Sequence, residues 1–562
     1  MSTVARATKP RKERKKAAQA PGGRSWISAL GELLLPESPR ARGILAAILL
    51  LAFVLRYTRL MGMFPILVDE SIYLRWAQII QQQGQWFISL LDGKPPLSYW
   101  LLALPRFVSA GDPLWQARLL SVIAGGFSTL GIFAVARRIA PAGQGDSAGL
   151  AAAALYAVFP WAILYDRLAY TEAYVNLFGL AIALASIVCF EQSGKSWARE
   201  LGPGLALGLG LFTKQTALLF AAIPAAAAFY YGRRHERNWI ARLAAIYAIA
   251  GVFLIANFVL TPAAPMLATH DAVLHHTGFF ANPAELMADP FVAARSNFPK
   301  LASYIGSYMT WPLAAAALAG AVWLGLQGSF APWLLVAGSL LPAIAEGFLL
   351  ELMFPTRYPF PLFWPWLVAA AVAATAFCRQ RLPAKPWAPA AAVAVLALAP
   401  LYRDVQMIAS PETALHAADI EGFLGDHPHV GYGIAEAIAF LDNEAKTHGP
   451  FLLLSDPIWG PPADALFPYL NGRDGIQVYE AWWTQLAPNY AILPAGKAEV
   501  LYSHYDREKA GELDFSRIPR VFYVTDTHYY PREAVQVRQP GARLVASFPK
   551  KNGHSIDVYQ LK

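Results

Sequence analysis

Residues 42–70 read RGILAAILLLAFVLRYTRLMGMFPILVDE, an apolar run that ends on a pair of acids. A helix of ~20 apolar residues crosses a bilayer, so a first span is expected at about Arg42 to Phe64. Ahead of it lie Arg11, Lys12, Arg14, Lys15 and Lys16 in a polar stretch. Basic segments stay on the cytosolic side. Residues 1–41 are therefore expected to form a cytosolic basic tail rather than a cleavable leader. The chain beyond Leu67, opening with Asp69 and Glu70, is then expected outside.

The rest of the chain repeats this pattern. Of its 562 residues 56% are hydrophobic and only 15% charged, too few charges to cover a soluble surface of that size. The net charge of +8 does not point to nucleic acid. The basic residues sit in short loops between apolar blocks, as the positive-inside rule expects. Further spans are expected at Gln116–Ala136, Leu150–Leu164, Tyr170–Phe190, Leu201–Phe212, Ala217–Tyr231, Ile240–Thr261, Tyr304–Gly325, Trp333–Phe354, Tyr358–Phe377 and Trp387–Leu401. That makes about eleven transmembrane helices. Arg137, Arg138, Lys195, Arg199, Arg233, Arg234, Arg237, Arg379, Arg381 and Lys385 then all fall on the cytosolic side. Gly202, Gly204, Gly208 and Gly210 would let neighbouring helices approach closely. External loops are expected at about residues 65–114 and 262–300, the first holding an interfacial helix at Ile72–Ile80. Cys189 and Cys378 near the ends of apolar segments imply no disulfide framework.

From about Thr413 charge returns and apolar runs shorten to strand length: Phe451–Leu454, Val521–Val524 and Leu544–Phe548, with Glu436–Leu441 helical. The expected fold class is thus an all-α polytopic membrane domain over residues 42–402. A small extracytoplasmic α/β domain follows over residues 413–562, in a multi-pass protein of the cell membrane.

Two motifs bear on chemistry. Asp69-Glu70 follows the first span, where an ionised carboxylate is costly unless solvated, paired or used. Lys94-Pro95-Pro96-Leu97-Ser98-Tyr99-Trp100 sets a lysine before a rigid diproline and two aromatics suited to the headgroup level. Each has a bland alternative: a solvated acid pair, and a snorkelling anchor lysine.

Together, in this order and on this side, the two motifs resemble the first external loop of the GT-C glycosyltransferases. The resemblance is to the group of protein O-mannosyltransferases and lipid A aminoarabinose transferases, and it covers roughly Arg42 to Leu401. Arg167-Leu168-Ala169-Tyr170-Thr171-Glu172 resembles the segment carrying a second external acid, with Glu172 the better match and Asp166 the alternative. Leu211-Phe212-Thr213-Lys214 resembles a segment ending in Thr-Lys, and Arg357-Tyr358-Pro359 the late Arg-Tyr-x-x-Pro segment. Two departures stand out. The acid that aminoarabinose transferases carry directly before Lys-Pro is here Gly93, with Asp92 one residue back, and their arginine soon after Asp-Glu is not matched, Arg75 being the nearest candidate.

The resemblance implies inverting transfer of a sugar from a polyprenyl-phosphate donor at the extracytoplasmic face. The acceptor is a lipid, a glycan or a protein, and membrane lipids are the other partners. Asp69 is assigned as base and Glu172 as the acid that orients the acceptor or the base. Lys94 and Arg357, with Arg75 weaker, are assigned to the donor phosphate. Glu70, Asp166, Lys214 and Tyr358 are support. No cofactor is assigned. His270, Asp271, His275 and His276 have no convergent spacing, and His427, His429, His528 and His554 lie scattered, so no metal site is assigned. No Walker A loop or GxGxxG supports a nucleotide-sugar site. A transporter or flippase of a lipid-linked sugar is the competing reading.

Overall fold

The computed structural model describes residues 31–108, 111–191, 198–235, 238–260, 281–350, 355–481, 497–501 and 511–562. Helices dominate as far as Ala409, and all but one of the strands lie beyond it. Six helices among the described residues are long and apolar enough to cross a membrane: Pro113–Ile139, Glu172–Glu191, Trp239–Leu260, Ala331–Leu349, Phe360–Arg381 and Ala388–Ala409. A bent pair, Val292–Met309 with Trp311–Leu326, makes a seventh if counted as one span. The protein is a multi-pass membrane protein, and this measure stops short of eleven spans.

Breaks in the expected spans account for part of the difference. Leu150–Leu164 is two pieces, Gly145–Ala157 and Pro160–Tyr165. Proline has no N–H to continue a helix and a φ suited to starting one, so Pro160 opens the second piece. Ala217–Tyr231 is divided into a 3₁₀ turn, an α-helical turn and a wider π turn. Tyr304–Gly325 turns through 102° at Thr310, whose φ of 66° lies in the left-handed region. The helix Pro39–Tyr57 carries Arg40, Arg42 and Arg56.

Glycines set the helix spacing where it is tightest. A Cβ on Gly320 would stand 2.5 Å from that of Ala373, so Trp311–Leu326 and Phe360–Arg381 pack almost backbone to backbone. Gly204 and Gly208 receive Ile249 and Phe253 of Trp239–Leu260 in the same way.

The expected interfacial helix forms as Val68–Gln83, but it does not lie on a surface. Every residue from Glu70 to Ile80 is buried. The reason is a cover supplied by distant sequence: Gln78 Nε2 donates to the Phe467 carbonyl at 3.1 Å, and the Arg75 guanidinium lies 3.5 Å from the Phe467 ring centroid.

β1 (Ile66–Leu67) pairs antiparallel with β2 (Val430–Gly431). The remaining strands are β3 (Leu452–Ser455), β4 (Gln477–Ala481), β5 (Lys497–Leu501), β6 (Gly511–Asp514), β7 (Val521–Asp526), β8 (Arg543–Pro549) and β9 (Ser555–Gln560). They form one sheet in the order β6-β5-β4-β3-β7-β9-β8. β3 runs parallel to β4 and β7, and the other pairs are antiparallel. β3 and β7 are buried along their whole length, which suits the unbroken apolar runs that announced them. The helix expected at Glu436–Leu441 spans Ile434–His448.

Candidate active site

The site is assembled at the start of the helix Val68–Gln83. Asp69 and Glu70 lie in its first turn, where the helix dipole favours negative charge. They have different surroundings. Glu70 is wholly buried and accepts both Arg118 Nε at 2.8 Å and Nη2 at 2.7 Å. It also accepts the Leu67 N–H at 3.1 Å, which satisfies the backbone donor at the N-cap, and the Ala169 N–H at 2.9 Å. Arg118 spends its other donors on the carbonyls of Leu60, Phe64 and Pro65. Glu70 is thus a clamp that locks the turn carrying Asp69.

Asp69 belongs to a shared cluster of charges. Its carboxylate pairs with Arg357, whose guanidinium Nε also stands 3.9 Å from Glu172. Glu172 accepts Lys214 Nζ at 2.6 Å. Lys94 pairs with Asp92 at 2.9 Å and lies 5.4 and 5.3 Å from the ring centroids of Tyr73 and Trp76. Asp69, Tyr73 and Trp76 follow i, i+4, i+7 spacing, so one helix face presents the acid and the two rings. Tyr358 lies beside both Lys214 and Arg357, 5.1 and 5.3 Å from its ring centroid. Ser98 Oγ donates to the Thr213 carbonyl at 3.3 Å, and Gln215 Nε2 to that of Gly93 at 3.4 Å, so the two lysine-bearing loops are tied together.

Burial opposes the charge on Asp69, but Arg357, Lys94 and Lys214 together outweigh it and hold the carboxyl at about 2. For Lys94 burial is likewise overcome, by Asp92 and Asp69, and its ammonium is held above the usual range. The cations are the more exposed members of each pair: Lys94 36% against 6% for Asp92, Lys214 23% against 3% for Glu172, Arg357 22% against 14% for Asp69. The cations are thus the members of each pair that an anion from solvent can reach more readily. Among the described residues Arg357 Nε is buried without a hydrogen-bond acceptor, a donor still to be satisfied.

Asp69, Lys94, Glu172, Lys214, Arg357 and Tyr358 are therefore brought together. Arg75 is not. It is buried on another face of its helix, hydrogen-bonded to Gln78 at 2.5 Å and packed on Phe467. Asp166 is also elsewhere: fully buried, it pairs with Arg56 at 2.9 Å and accepts the Tyr156 hydroxyl at 3.0 Å. The stretch with His270, Asp271, His275 and His276 lies outside the described residues. Gly93 has a physical reason for its departure: it ends the turn Ile88–Asp92 at φ 66°, a conformation that favours glycine.

Sequence reasoning missed Asp419. It is buried in the helix Ala417–Leu424 and accepts the hydroxyls of Thr356 at 2.6 Å, Tyr165 at 3.2 Å and Tyr308. Thr356 immediately precedes Arg357, so Asp419 anchors the segment that delivers the guanidinium. Its one local signal is a lone acid in the first turn of a short apolar helix after the last span.

Residues 93–261 match the family model described as dolichyl-phosphate-mannose-protein mannosyltransferase. That stretch holds Lys94, Glu172 and Lys214 but neither Asp69 nor Arg357. An undecaprenyl phosphate-alpha-4-amino-4-deoxy-L-arabinose arabinosyl transferase of Pseudomonas paraeruginosa is 31% identical over 182 residues, 30% of this chain and 31% of that relative. The chain thus aligns with about a third of the length of the curated relatives it matches. The crystal structure of ArnT from Cupriavidus metallidurans in the apo state superposes with a TM-score of 0.57 at 13% identity, over 93% of this chain and 98% of that one. The same protein bound to undecaprenyl phosphate gives 0.53 at 15% identity, over 94% and 99%. The chain has an ArnT-like fold and resembles the GT-C glycosyltransferases of the ArnT and O-mannosyltransferase type.

Proposed function

We propose that this chain is a membrane glycosyltransferase that moves a sugar from a polyprenyl-phosphate donor to an acceptor hydroxyl at the extracytoplasmic face. The observation that carries the reading is the cluster just described: a carboxylate, two further acids and three cations that are more exposed than the acids they pair with. The names of the matched relatives and the undecaprenyl phosphate bound to a protein of the same fold support the class of donor. In this reading the shorter apolar helices Gly145–Ala157 and Ala198–Thr213 help complete a bundle of about eleven crossings in the inner membrane. Residues 413–562 form the extracytoplasmic domain.

The steps follow from the residues. The donor phosphate docks on Lys94, Lys214 and Arg357, and fills the open Nε of the last. Arg357 is then shared with the phosphate, its hold on Asp69 weakens, and the carboxylate becomes a better base. The acceptor oxygen attacks the anomeric carbon from the side opposite the phosphate as its proton passes to Asp69. The bond to the phosphate oxygen breaks, and the charge left there is taken up by the three cations. Attack from the opposite side inverts the anomeric centre. Glu172 holds Lys214 and Arg357 in register, and the tie between the two lysine loops keeps donor and base in line.

The test uses protein purified in detergent, synthetic undecaprenyl-phosphate sugars and envelope lipid, glycan and protein fractions as acceptors. Asp69→Asn is expected to lower turnover by about 10²–10⁴-fold, the range of a lost general base, with donor binding retained. Lys94→Ala is expected chiefly to raise the donor concentration needed for half-saturation. Full turnover in Asp69→Asn would remove it as the base. Transfer only across sealed vesicles, with no glycosidic bond made, would favour a flippase.

A further inference from the structure

Histidines that lie scattered in the sequence converge in the folded sheet domain. His528 follows β7, His554 sits in the turn between β8 and β9, and Asp426 lies in the loop before β2. Their side-chain ligand atoms all lie within 4.8 Å of one another. We propose that Asp426, His528 and His554 bind a divalent transition-metal ion of the Zn²⁺ class, at a site separate from the charged cluster around Asp69.

The case rests on the protons. His528 Nδ1 stands 2.9 Å from Asp526 Oδ1. A carboxylate only accepts, so Nδ1 carries the hydrogen and Nε2 presents its lone pair. Asp526 is itself held by Lys550 Nζ at 2.6 Å and by the His528 N–H at 2.9 Å. This is the outer-shell arrangement that orients a metal-binding imidazole: carboxylate on one nitrogen, metal on the other. Nε2 stands 3.3 Å from Asp426 Oδ1, yet among the described residues neither atom has a hydrogen-bond partner. Two bare acceptor atoms this close repel unless a cation is shared between them. Two ligands on a tetrahedral Zn²⁺ at ~2.0–2.1 Å stand about 3.4 Å apart, which matches this gap. The other Asp426 oxygen is fixed by Asn552 Nδ2 at 2.8 Å.

His554 completes the set after a rotation. Its ring stacks on that of His528, with centroids 3.6 Å apart and planes 13° from parallel. Parallel rings do not aim in-plane lone pairs at one ion, so binding opens the stack. Three protein ligands leave the fourth position to water. The site has a mechanical role, because it joins the sheet to the loop entering β2, and β2 pairs with the strand just ahead of Asp69. It does not rest on the transferase reading.

The full-length protein, purified in detergent without chelator, is loaded with Zn²⁺ or Co²⁺, desalted and analysed for metal by mass spectrometry. About one ion per chain is expected, with the visible absorption of tetrahedral Co²⁺. Asp426→Asn and His554→Ala should each weaken binding by about 10-fold or more, whereas His448→Ala, elsewhere in the domain, should not. Metal absent from the loaded wild-type protein would overturn the proposal whatever the variants do. So would equal binding by all variants.

Discussion

Asp419 shows what one carboxyl does when its side-chain partners among the described residues are all hydroxyls. Burial raises it, the hydroxyls of Thr356, Tyr308 and Tyr165 pull it down again, and it rests at about 6. Its folded value thus lies above its ordinary 3.8, so it favours the fold below about 4 and that contribution is lost as pH rises through about 6. The full swing is about 3 kcal/mol at ~1.4 kcal/mol per unit. Asp419→Asn removes the titration. Lowering the pH from 7 to 5 is expected to raise the melting temperature of the wild type relative to this variant, and parallel curves would refute the assignment. The variant should also raise the half-saturating donor concentration, since Thr356 and Arg357 lose their anchor. Asp69 and Lys94 were legible in the sequence because charge beside an apolar block is conspicuous. Asp419 and the Asp426–His528–His554 group were not, because their partners are far away along the chain. Arg75 was misread for a related reason: helical phase turns it from the Asp69 face, and its ring partner Phe467 is remote in sequence.

At the scale of elements, the turn Ile88–Asp92 decides where Lys94 points. Gly93 ends it at φ 66°. A β-branched residue there costs roughly 1–2 kcal/mol, whereas asparagine tolerates this conformation. Gly93→Val is expected to reduce transfer severely and Gly93→Asn to keep most of it, both at normal membrane yield. Equal loss in the two would show that space, not backbone conformation, is what the glycine provides. Elements were legible where a single period ran long enough, as in Pro113–Ile139 and Glu172–Glu191. Spans crossing Pro160 or Thr310 were drawn as continuous because hydropathy is blind to a break between two apolar pieces. Val68–Gln83 was taken as interfacial because its mixed composition cannot say that protein rather than lipid covers it.

For the whole molecule, the sheet domain and the helical part share the site. The sheet domain covers Val68–Gln83 through Phe467, and the segment leading into it braces Thr356 through Asp419. A chain stopped after residue 412 lacks both. It should still insert, but show faster proteolysis around Val68–Gln83 and no transfer. Wild-type protection in that truncated chain would mean the helical part holds its loops alone. The change in composition near Thr413 announced a second kind of structure, but not that it reaches back to the start of the chain.

That reach has a consequence for biogenesis. Val68, the neighbour of Asp69, donates its N–H to the carbonyl of His429, just after Ile66 and Leu67 pair with Gly431 and Val430. A ribosome delivers these partners only after every long apolar helix has been synthesised. On the proposed reading, a half-made chain already threaded into the bilayer could not use a lipid-linked donor, and competence would arrive late.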